Sequence, residues 1–254
     1  MRVSVCMATH DGAPYVGEQL ASVLSQLAPD DEVVVVDDAS TDDTVAVVES
    51  FRDGRVRLLR QESNAGAPSS FDRSLAASTN ELILLCDQDD VWESEKVALL
   101  RRLFEEDPSL DLLVHDAVVF RGDEVVHPSY FQARRSGRGV VKNLRLSGYI
   151  GHCMAFRRSL LDLVLPIPRA RGVSHDWWIG VLADLCGTNV FFLPRPLARH
   201  RRHERNASAM APRALWRILS DRCVLVSCLA FRWVSLAGRG RIVQTPRTPR
   251  GRRQ

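Results

Sequence analysis

Short apolar runs alternate with segments of helical periodicity in the first half of the chain, and this alternation most constrains the fold. Four runs have the character of buried strands, at 3–8, 32–36, 56–59 and 81–86. Four segments have helical spacing, at 15–27, 44–51, 71–77 and a stretch that ends at Phe104. Such alternation with short connections predicts an α/β fold, with a mainly parallel central sheet and helices on both faces.

Acidic residues follow two of these predicted strands. Asp37 and Asp38 end the second strand, and three acids, Asp87, Asp89 and Asp90, follow the fourth. Ligands of open parallel sheets bind beyond the carboxyl ends of the strands. These carboxylates are therefore expected at a binding site.

Helix capping is the alternative interpretation of the same acids. Ser40 with Asp43, and Asp90 with Glu93, both resemble the start of a helix. A solvated acidic turn would need no ligand.

The spacing of Asp87 and Asp89 points to a metal. Side chains alternate along an extended chain, so these two carboxylates face the same way and can share one hard cation, Mg²⁺ or Mn²⁺. Such an ion commonly also binds the oxygens of a diphosphate. Asp38 could accept a hydrogen bond from a base or a ribose hydroxyl. The sequence has neither a GxGxxG after the first strand nor a Walker motif, which disfavours dinucleotide enzymes and P-loop NTPases.

The second half of the chain is less periodic. Residues 121–138 are polar and predict a mobile loop. The remaining predicted elements are a strand at 110–120, a short strand at 153–156, helices at 158–165 and 175–186, and final strands at 190–193 and 197–200.

Two further motifs carry possible chemistry. Asp176 stands at a helix start beside Trp177 and Trp178, where a carboxylate could accept a hydroxyl proton while a sugar ring stacks on an indole. Compensation of the helix dipole is the alternative role for this acid. His203 lies among arginines and is either a surface residue or a ligand of the same cation, with an arginine on phosphate.

The net charge of +3 conceals an asymmetry. Residues 195–254 contain fifteen Arg against two acids, a net charge of +13, whereas the rest of the chain carries −10. This predicts attraction to a phosphate-bearing ligand or an anionic membrane surface, and no nucleic-acid partner is expected. The apolar stretch 211–236 fits either a helix that completes the core or an amphipathic helix on lipid.

Localisation is expected to be cytoplasmic. Six cysteines without a CxxC pair predict reduced thiols, and the chain opens directly on a strand-like run rather than a signal peptide. Since the apolar runs are too short to cross a bilayer, any membrane contact would be peripheral, on the inner face of the cell membrane.

Seven motifs together resemble the inverting family-2 glycosyltransferases of the GT-A fold, and especially their rhamnosyltransferase-like branch. The motifs occur in family order from residue 3 to about 206. They are ATHDG at 8–12, DDASTD at 37–42, NAG at 64–66, CDQDDVW at 86–92, GHCMAF at 151–156, HDWW at 175–178 and RRHERN at 201–206.

This resemblance implies a role for each matching residue. Asp89 would be the principal metal ligand, with His203 and Asp87 beside it, and Asp176 would be the general base. The donor nucleotide would be bound by Thr9, Asp11, Asp38, Asn64, Gly66, Asp87 and Arg201. The acceptor side would include Gly151, His152, His175, Trp177 and Trp178.

The resemblance also implies an activity and a domain organisation. The activity would be metal-dependent transfer of a sugar, with rhamnose as a candidate, from a dTDP- or UDP-sugar to a glycan or lipid-linked acceptor in cell-surface polysaccharide assembly. The GT-A domain would span 1–206, with a nucleotide-binding half, 1–120, and an acceptor-side half, 121–206. A basic apolar helix, 207–237, and a disordered Arg-rich tail, 238–254, would follow.

Some positions depart from the family pattern. Asp11 stands where Asn is usual, Ala13 where Glu is common, and Ser70 where Asn is frequent. These departures leave a non-catalytic nucleotide-sugar-binding or membrane-surface adaptor as the alternative. A nucleotidyltransferase is disfavoured because residues 10–14 provide no Gly-rich loop with Lys or Arg.

Overall fold

A computed structural model describes residues 1–203 and 215–238 of the chain. The predicted tail beyond residue 238, the start of the predicted C-terminal helix and residues 204–206 of the last motif lie outside the described residues.

The described residues form nine strands in one sheet, with helices packed against it. The strands are β1 Val3–Thr9, β2 Glu32–Asp37, β3 Val56–Arg60, β4 Leu82–Asp87, β5 Val91–Trp92, β6 Leu112–Arg121, β7 Glu124–His127, β8 Met154–Arg157 and β9 Val190–Arg201. The helices are α1 Ala13–Leu24, α2 Thr44–Ser50, α3 Ala67–Ala77, α4 Lys96–Glu106, α5 Tyr130–Arg134, α6 Val140–Arg145, α7 Leu161–Val164, α8 His175–Leu185 and α9 Leu215–Ala237. Two 3₁₀ turns, Gly151–Cys153 and Arg158–Leu160, complete the order.

The strand order is β3-β2-β1-β4-β8-β6-β9-β5, with β7 paired to β6. The first four strands in this order pair in parallel, as do β6 and β9, whereas β8 is antiparallel to both of its neighbours. The apolar runs of β1, β2 and β4 are almost wholly buried, as expected for strands covered on both faces. The predicted α/β fold is confirmed.

The second half differs from its prediction in three places. The polar segment 121–138 contains β7, which pairs with β6, and α5, whose first turn is capped by the Ser129 hydroxyl. The two predicted final strands form one strand, β9, because shifts in its pairing with β6 accommodate Pro194 and Pro196. The predicted helix at 158–165 is a 3₁₀ turn followed by the single turn α7.

Both capping predictions are wrong. The Ser40 hydroxyl donates to Asp37 at the end of β2, and α2 begins later, at Thr44. Asp90 is followed by β5 rather than by a helix, and α4 begins only at Lys96. Asp90 therefore lies inside the fold and does not cap a helix.

Close packing of α8 fixes the position of its first turn. Gly180 faces the ring of Tyr149, and a Cβ atom at Gly180 would lie 2.2 Å from the Tyr149 Cγ. The Tyr149 hydroxyl donates to Asp184, 2.7 Å away, on the next turn of the helix. This contact holds α8 against the 3₁₀ turn Gly151–Cys153.

Gly180→Ala should destabilise the protein by roughly 1–3 kcal/mol, because the added methyl group overlaps the Tyr149 ring and outweighs the better helix propensity of Ala. Urea unfolding measures the change. Gly54→Ala is the matched control, since nothing lies within 4 Å of a Cβ there. The packing account would be contradicted if the two variants unfolded at the same urea concentration.

Candidate active site

The carboxyl ends of β1, β2 and β4 meet at one edge of the sheet. Thr9 is the parallel partner of Asp37, and Ala8 is the partner of Asp87. The Thr9 hydroxyl donates to Asp37 over 3.0 Å. Asp37 and Asp87, which follow separate strands in the sequence, therefore lie at the same edge of the sheet, one on each side of β1, as the parallel topology requires.

Asp38 organises the turn that precedes α3. Its carboxylate accepts hydrogen bonds from the backbone N–H groups of Ala65 and Gly66, each 2.7 Å long, and from the Gln61 amide. Gly66 has a φ of +83°, a conformation that suits glycine. The Asn64 amide contacts the His10 ring, so Asn64 and Gly66 share a surface with the loop after β1, while Thr9 and Asp38 are themselves buried.

Asp11 joins this surface through a different contact. Its carboxylate accepts from the backbone N–H of Thr41 over 2.7 Å, and this hydrogen bond lowers the pKa of Asp11. The acid thus ties the loop after β1 to the loop after β2. Asn is usual at this position in the family, and the Asp11 carboxylate still provides an oxygen that accepts the Thr41 N–H.

Three carboxylates crowd the end of β4. One oxygen from each of Asp87, Asp89 and Asp90 lies within 4.8 Å of the others. His203 Nε2 lies 2.9 Å from Asp89 Oδ2, and the His203 ring stacks on Tyr15 with the ring centres 4.5 Å apart. Asp89 and His203, which are more than a hundred positions apart in the sequence, are therefore in contact, and they are two of the metal ligands that the resemblance implied.

The electrostatics of this cluster suit a divalent cation. Burial, followed by the charges of Asp90 and Asp87, raises the pKa of Asp89 to about 6, although the hydrogen bond from His203 opposes the shift. Carboxylate oxygens with one imidazole are a donor set that Mn²⁺ and Mg²⁺ accept. A bound cation would relieve the repulsion that raises this pKa.

Arg201 lies beside the cluster at the end of β9. Its Nε donates to the backbone carbonyl of Asp89 over 3.0 Å, and its guanidinium pairs with Glu18. The guanidinium also lies 4.8 Å from the centre of the Phe120 ring. The predicted phosphate-binding arginine is thus held next to the principal predicted metal ligand.

Sequence reasoning missed the framework behind these acids. Asp90 is buried, with His200 Nδ1 at 2.9 Å and His152 Nδ1 at 3.4 Å from its oxygens. The two imidazoles stack with centres 4.8 Å apart, and Tyr130 stacks on His200 at 5.0 Å. Burial alone would raise the pKa of Asp90, but the charges of His152 and His200 lower it to about 2.

A buried lysine completes this framework. Lys96 Nζ donates to the backbone carbonyl of His152 over 3.0 Å and lies 3.8 Å from the centre of the Trp92 ring. Burial lowers the pKa of Lys96 to about 8. The only sequence signal for this role is the position of Lys96 directly before the apolar residues that open α4, and that pattern also fits a solvated helix start.

Asp176 lies close to the same framework, at the start of α8. A Cβ atom at Gly151 would lie 3.4 Å from the Asp176 Cβ and 2.5 Å from His175 Nε2. The next residue, His152, reaches Asp87 over 3.4 Å. One 3₁₀ turn thus separates Asp176 from the acids of β4, and His175 stacks on Phe71 of α3.

The two tryptophans that follow Asp176 belong to the core. Trp177 and Trp178 are 5% and 1% exposed. Their indole N–H groups donate to the backbone carbonyls of Asn143 and Val164, each over 2.7 Å. The expectation that they stack on a sugar ring is therefore corrected: they anchor α8 and so position Asp176.

Comparison with known proteins adds a family. The profile of the family described as "Glycosyl transferase family 2" matches residues 4–165. An uncharacterized glycosyltransferase of Nostoc sp., alr2836, is 26% identical over 66% of this chain and 54% of its own length. The poly(ribitol-phosphate) β-N-acetylglucosaminyltransferase TarS of Staphylococcus aureus is 33% identical over 45% of this chain and 21% of its own length. The chain thus spans about half or less of these relatives.

Solved structures share the fold. The crystal structure of S. aureus TarS 1–349 with UDP-GlcNAc matches with a TM-score of 0.70 and 21% identity, over 89% of this chain and 66% of that one. The mannosyltransferase PcManGT of Pyrobaculum calidifontis, solved with GDP-Man and Mn²⁺, matches with a TM-score of 0.61 and 20% identity, over 96% of this chain and 76% of that one. Since the family profile covers well over half of the sequence, the chain belongs to glycosyl transferase family 2.

Proposed function

We propose that this protein is a metal-dependent inverting glycosyltransferase. It moves a sugar from a nucleoside-diphosphate donor to a hydroxyl group of a glycan or lipid-linked acceptor in cell-surface polysaccharide assembly. The observation that supports this most strongly is the pairing of Asp89 with His203 at the end of β4, with Asp176 next to the 3₁₀ turn Gly151–Cys153. Metal ligands and a base close together are what a single displacement at a sugar carbon requires.

The donor would lie across the ends of β1 and β2. Thr9, Asp38, Asn64 and Gly66 would contact the nucleoside, with Asp11 holding the loop between them. The resemblance to the rhamnosyltransferase-like branch favours a deoxysugar donor such as dTDP-rhamnose. TarS, by contrast, was solved with UDP-GlcNAc, so UDP-sugars are the second donor class.

Asp89, His203 and Asp87 would hold a Mg²⁺ or Mn²⁺ ion. When bound, the ion supplies positive charge that stabilises the departing nucleoside diphosphate. Arg201 adds a fixed charge on the same side, because its guanidinium is held against the backbone of Asp89.

Asp176 would act as the general base. Its carboxylate accepts the proton of the acceptor hydroxyl as that oxygen attacks the anomeric carbon and the bond to the diphosphate breaks. One displacement inverts the anomeric centre. Gly151 lies next to Asp176 and His175 and, with the buried His152 that pairs with Asp87, would shape the acceptor side. The buried Trp177 and Trp178 would act by holding α8 in place.

The proposed organisation follows from these roles. Residues 1–120 would form the nucleotide-binding half and 121–206 the acceptor-side half, and a cytoplasmic location at the inner face of the membrane would give access to a lipid-linked acceptor. α9 is the described part of the apolar and basic helix expected at 207–237, and residues 238–254 add basic sequence.

Asp176→Asn should lower turnover by about 10²-fold or more while donor binding is unchanged, because the amide keeps the shape but cannot accept the proton. Release of nucleoside diphosphate from a panel of dTDP- and UDP-sugars measures turnover. Asp123→Asn, in the exposed turn between β6 and β7, is the matched control. Unchanged turnover in Asp176→Asn would exclude Asp176 as the base. Donor binding without turnover in both the wild type and the variant would favour the alternative, a non-catalytic nucleotide-sugar-binding adaptor.

Asp89→Asn should weaken Mn²⁺ binding by at least about tenfold, because it removes a charged ligand from the centre of the cluster. Titration calorimetry in the absence of nucleotide measures the affinity, and Asp123→Asn serves again as the control. Equal affinity in the two variants would remove Asp89 from the proposed metal site.

The affinity of the wild-type protein for Mn²⁺ should fall as the pH drops below about 6. The pKa of Asp89 is raised to about 6, so protons compete with the ion below that pH and the carboxylate is free to bind above it. The expected loss is roughly tenfold for each pH unit below about 6. An affinity that stays flat through this range would contradict the assignment.

A further inference from the structure

The outward face of α9 has an unusual composition for a surface helix. Five large apolar side chains on it are exposed by 47–81%: Trp216, Leu219, Val226, Phe231 and Val234. Together with Cys223 and Ala230 they recur every three or four residues and form one stripe along the helix. Within residues 216–237, this stripe contains no charged side chain.

The opposite face of α9 packs on the protein. Leu225, Leu229 and Leu236 are buried. Two of the arginines of the helix turn the same way: Arg222 donates to the Leu144 carbonyl, and Arg232 donates to the Leu163 carbonyl over 2.8 Å. The third, Arg217, is exposed and lies 5.5 Å from the centre of the Trp216 ring.

The acid on this helix, Asp221, also faces the body. A Cβ atom at Gly172 would lie 2.2 Å from an Asp221 oxygen. Two of the three arginines and the acid of α9 are therefore directed inward, whereas its five large exposed apolar side chains are directed outward, with Arg217 exposed beside Trp216. This arrangement is costly for a helix in water and is satisfied when an apolar layer covers the stripe.

The charges next to the helix indicate what that layer is. The sequence before α9 contains Arg199, Arg201, Arg202, Arg205 and Arg213, and the sequence after it contains six Arg and no acid. Two copies joined through the stripe would bring basic sequence beside basic sequence whether the helices ran parallel or antiparallel. Anionic lipid headgroups complement both ends at once.

We propose that the Trp216–Val234 face of α9 lies in the surface of an anionic bilayer. The stripe enters the boundary between headgroups and acyl chains, and the net positive charge of the sequence on either side favours anionic headgroups. The helix lies along the surface rather than crossing it, since among the described helices none is both long enough and apolar enough for a membrane span.

The position of α9 relates this surface to the acceptor side. Arg232 contacts the carbonyls of Leu163 and Leu165, and Asp221 faces Gly172, all in the segment that leads into α8 and Asp176. If the proposed function holds, a lipid-linked acceptor would reach the base from the side where α9 meets the bilayer. This last step rests on the proposed function, whereas the membrane contact does not.

Sedimentation of the full chain with vesicles tests the proposal. Wild-type protein should bind vesicles of phosphatidylglycerol and phosphatidylcholine at least about tenfold more tightly than vesicles of phosphatidylcholine alone, and binding should weaken in high salt. The double variant Val226→Glu/Phe231→Glu should lose binding by at least about tenfold, because it places charges in the apolar stripe. Val125→Glu, at an exposed valine of β7, is the matched control and should bind like wild type.

Two results would overturn the proposal. One is equal sedimentation of the double variant and the wild type. The other is a wild-type dimer in light scattering that becomes monomeric in the double variant while neither protein binds vesicles, which would assign the stripe to a second copy. Urea unfolding and Mn²⁺ affinity should be unchanged in the double variant, so a folding defect or a failure of the proposed metal site would be recognised separately.

Discussion

The acids at the end of β4 set the constraint on which the site depends. One oxygen from each of Asp87, Asp89 and Asp90 lies within 4.8 Å of the others, Asp90 is buried, and like charges so close cannot all remain ionised without compensation. Two imidazoles pair with Asp90, and one imidazole faces Asp89. At Asp89 one imidazole does not offset burial and the charges of Asp90 and Asp87, so the pKa of Asp89 remains raised. The negative charge that remains uncompensated makes this edge of the sheet suited to a cation.

The same compensation assembles the rest of the site. His200 and His203 come from the end of β9 and the residues after it, and His152 comes from the 3₁₀ turn that abuts α8. Pairing these rings with the β4 acids fixes three distant segments against one another. Asp176 is held near the cluster as a consequence, because its helix packs on that turn and is anchored by two buried indoles.

Sequence alone predicted the fold and the location of Asp38, Asp87 and Asp89 at one edge of the sheet, because period-two and period-3.6 patterns identify strands and helices, and parallel strands end at one edge. It did not predict the partners of Asp90. His152 and Lys96 are assigned by tertiary packing, and their local sequence fits a surface position equally well. The tryptophans after Asp176 show the same limit, since a Trp pair beside an acid has the same pattern whether it faces a sugar or the core. The sequence predicted two strands where the structure has the single strand β9, because prolines are typical of a strand end and two of them lie within β9.

The central claim is that one cleft holds a cation at Asp89 and a base at Asp176. The most direct measurement is a crystal structure of the protein soaked with Mn²⁺ and the nucleoside diphosphate of its donor. The account predicts one ion that is bonded to the Asp89 carboxylate, the His203 ring and the diphosphate, with Asp176 facing the same cleft. An ion held by other side chains, or a diphosphate bound on a different edge of the sheet, would contradict it.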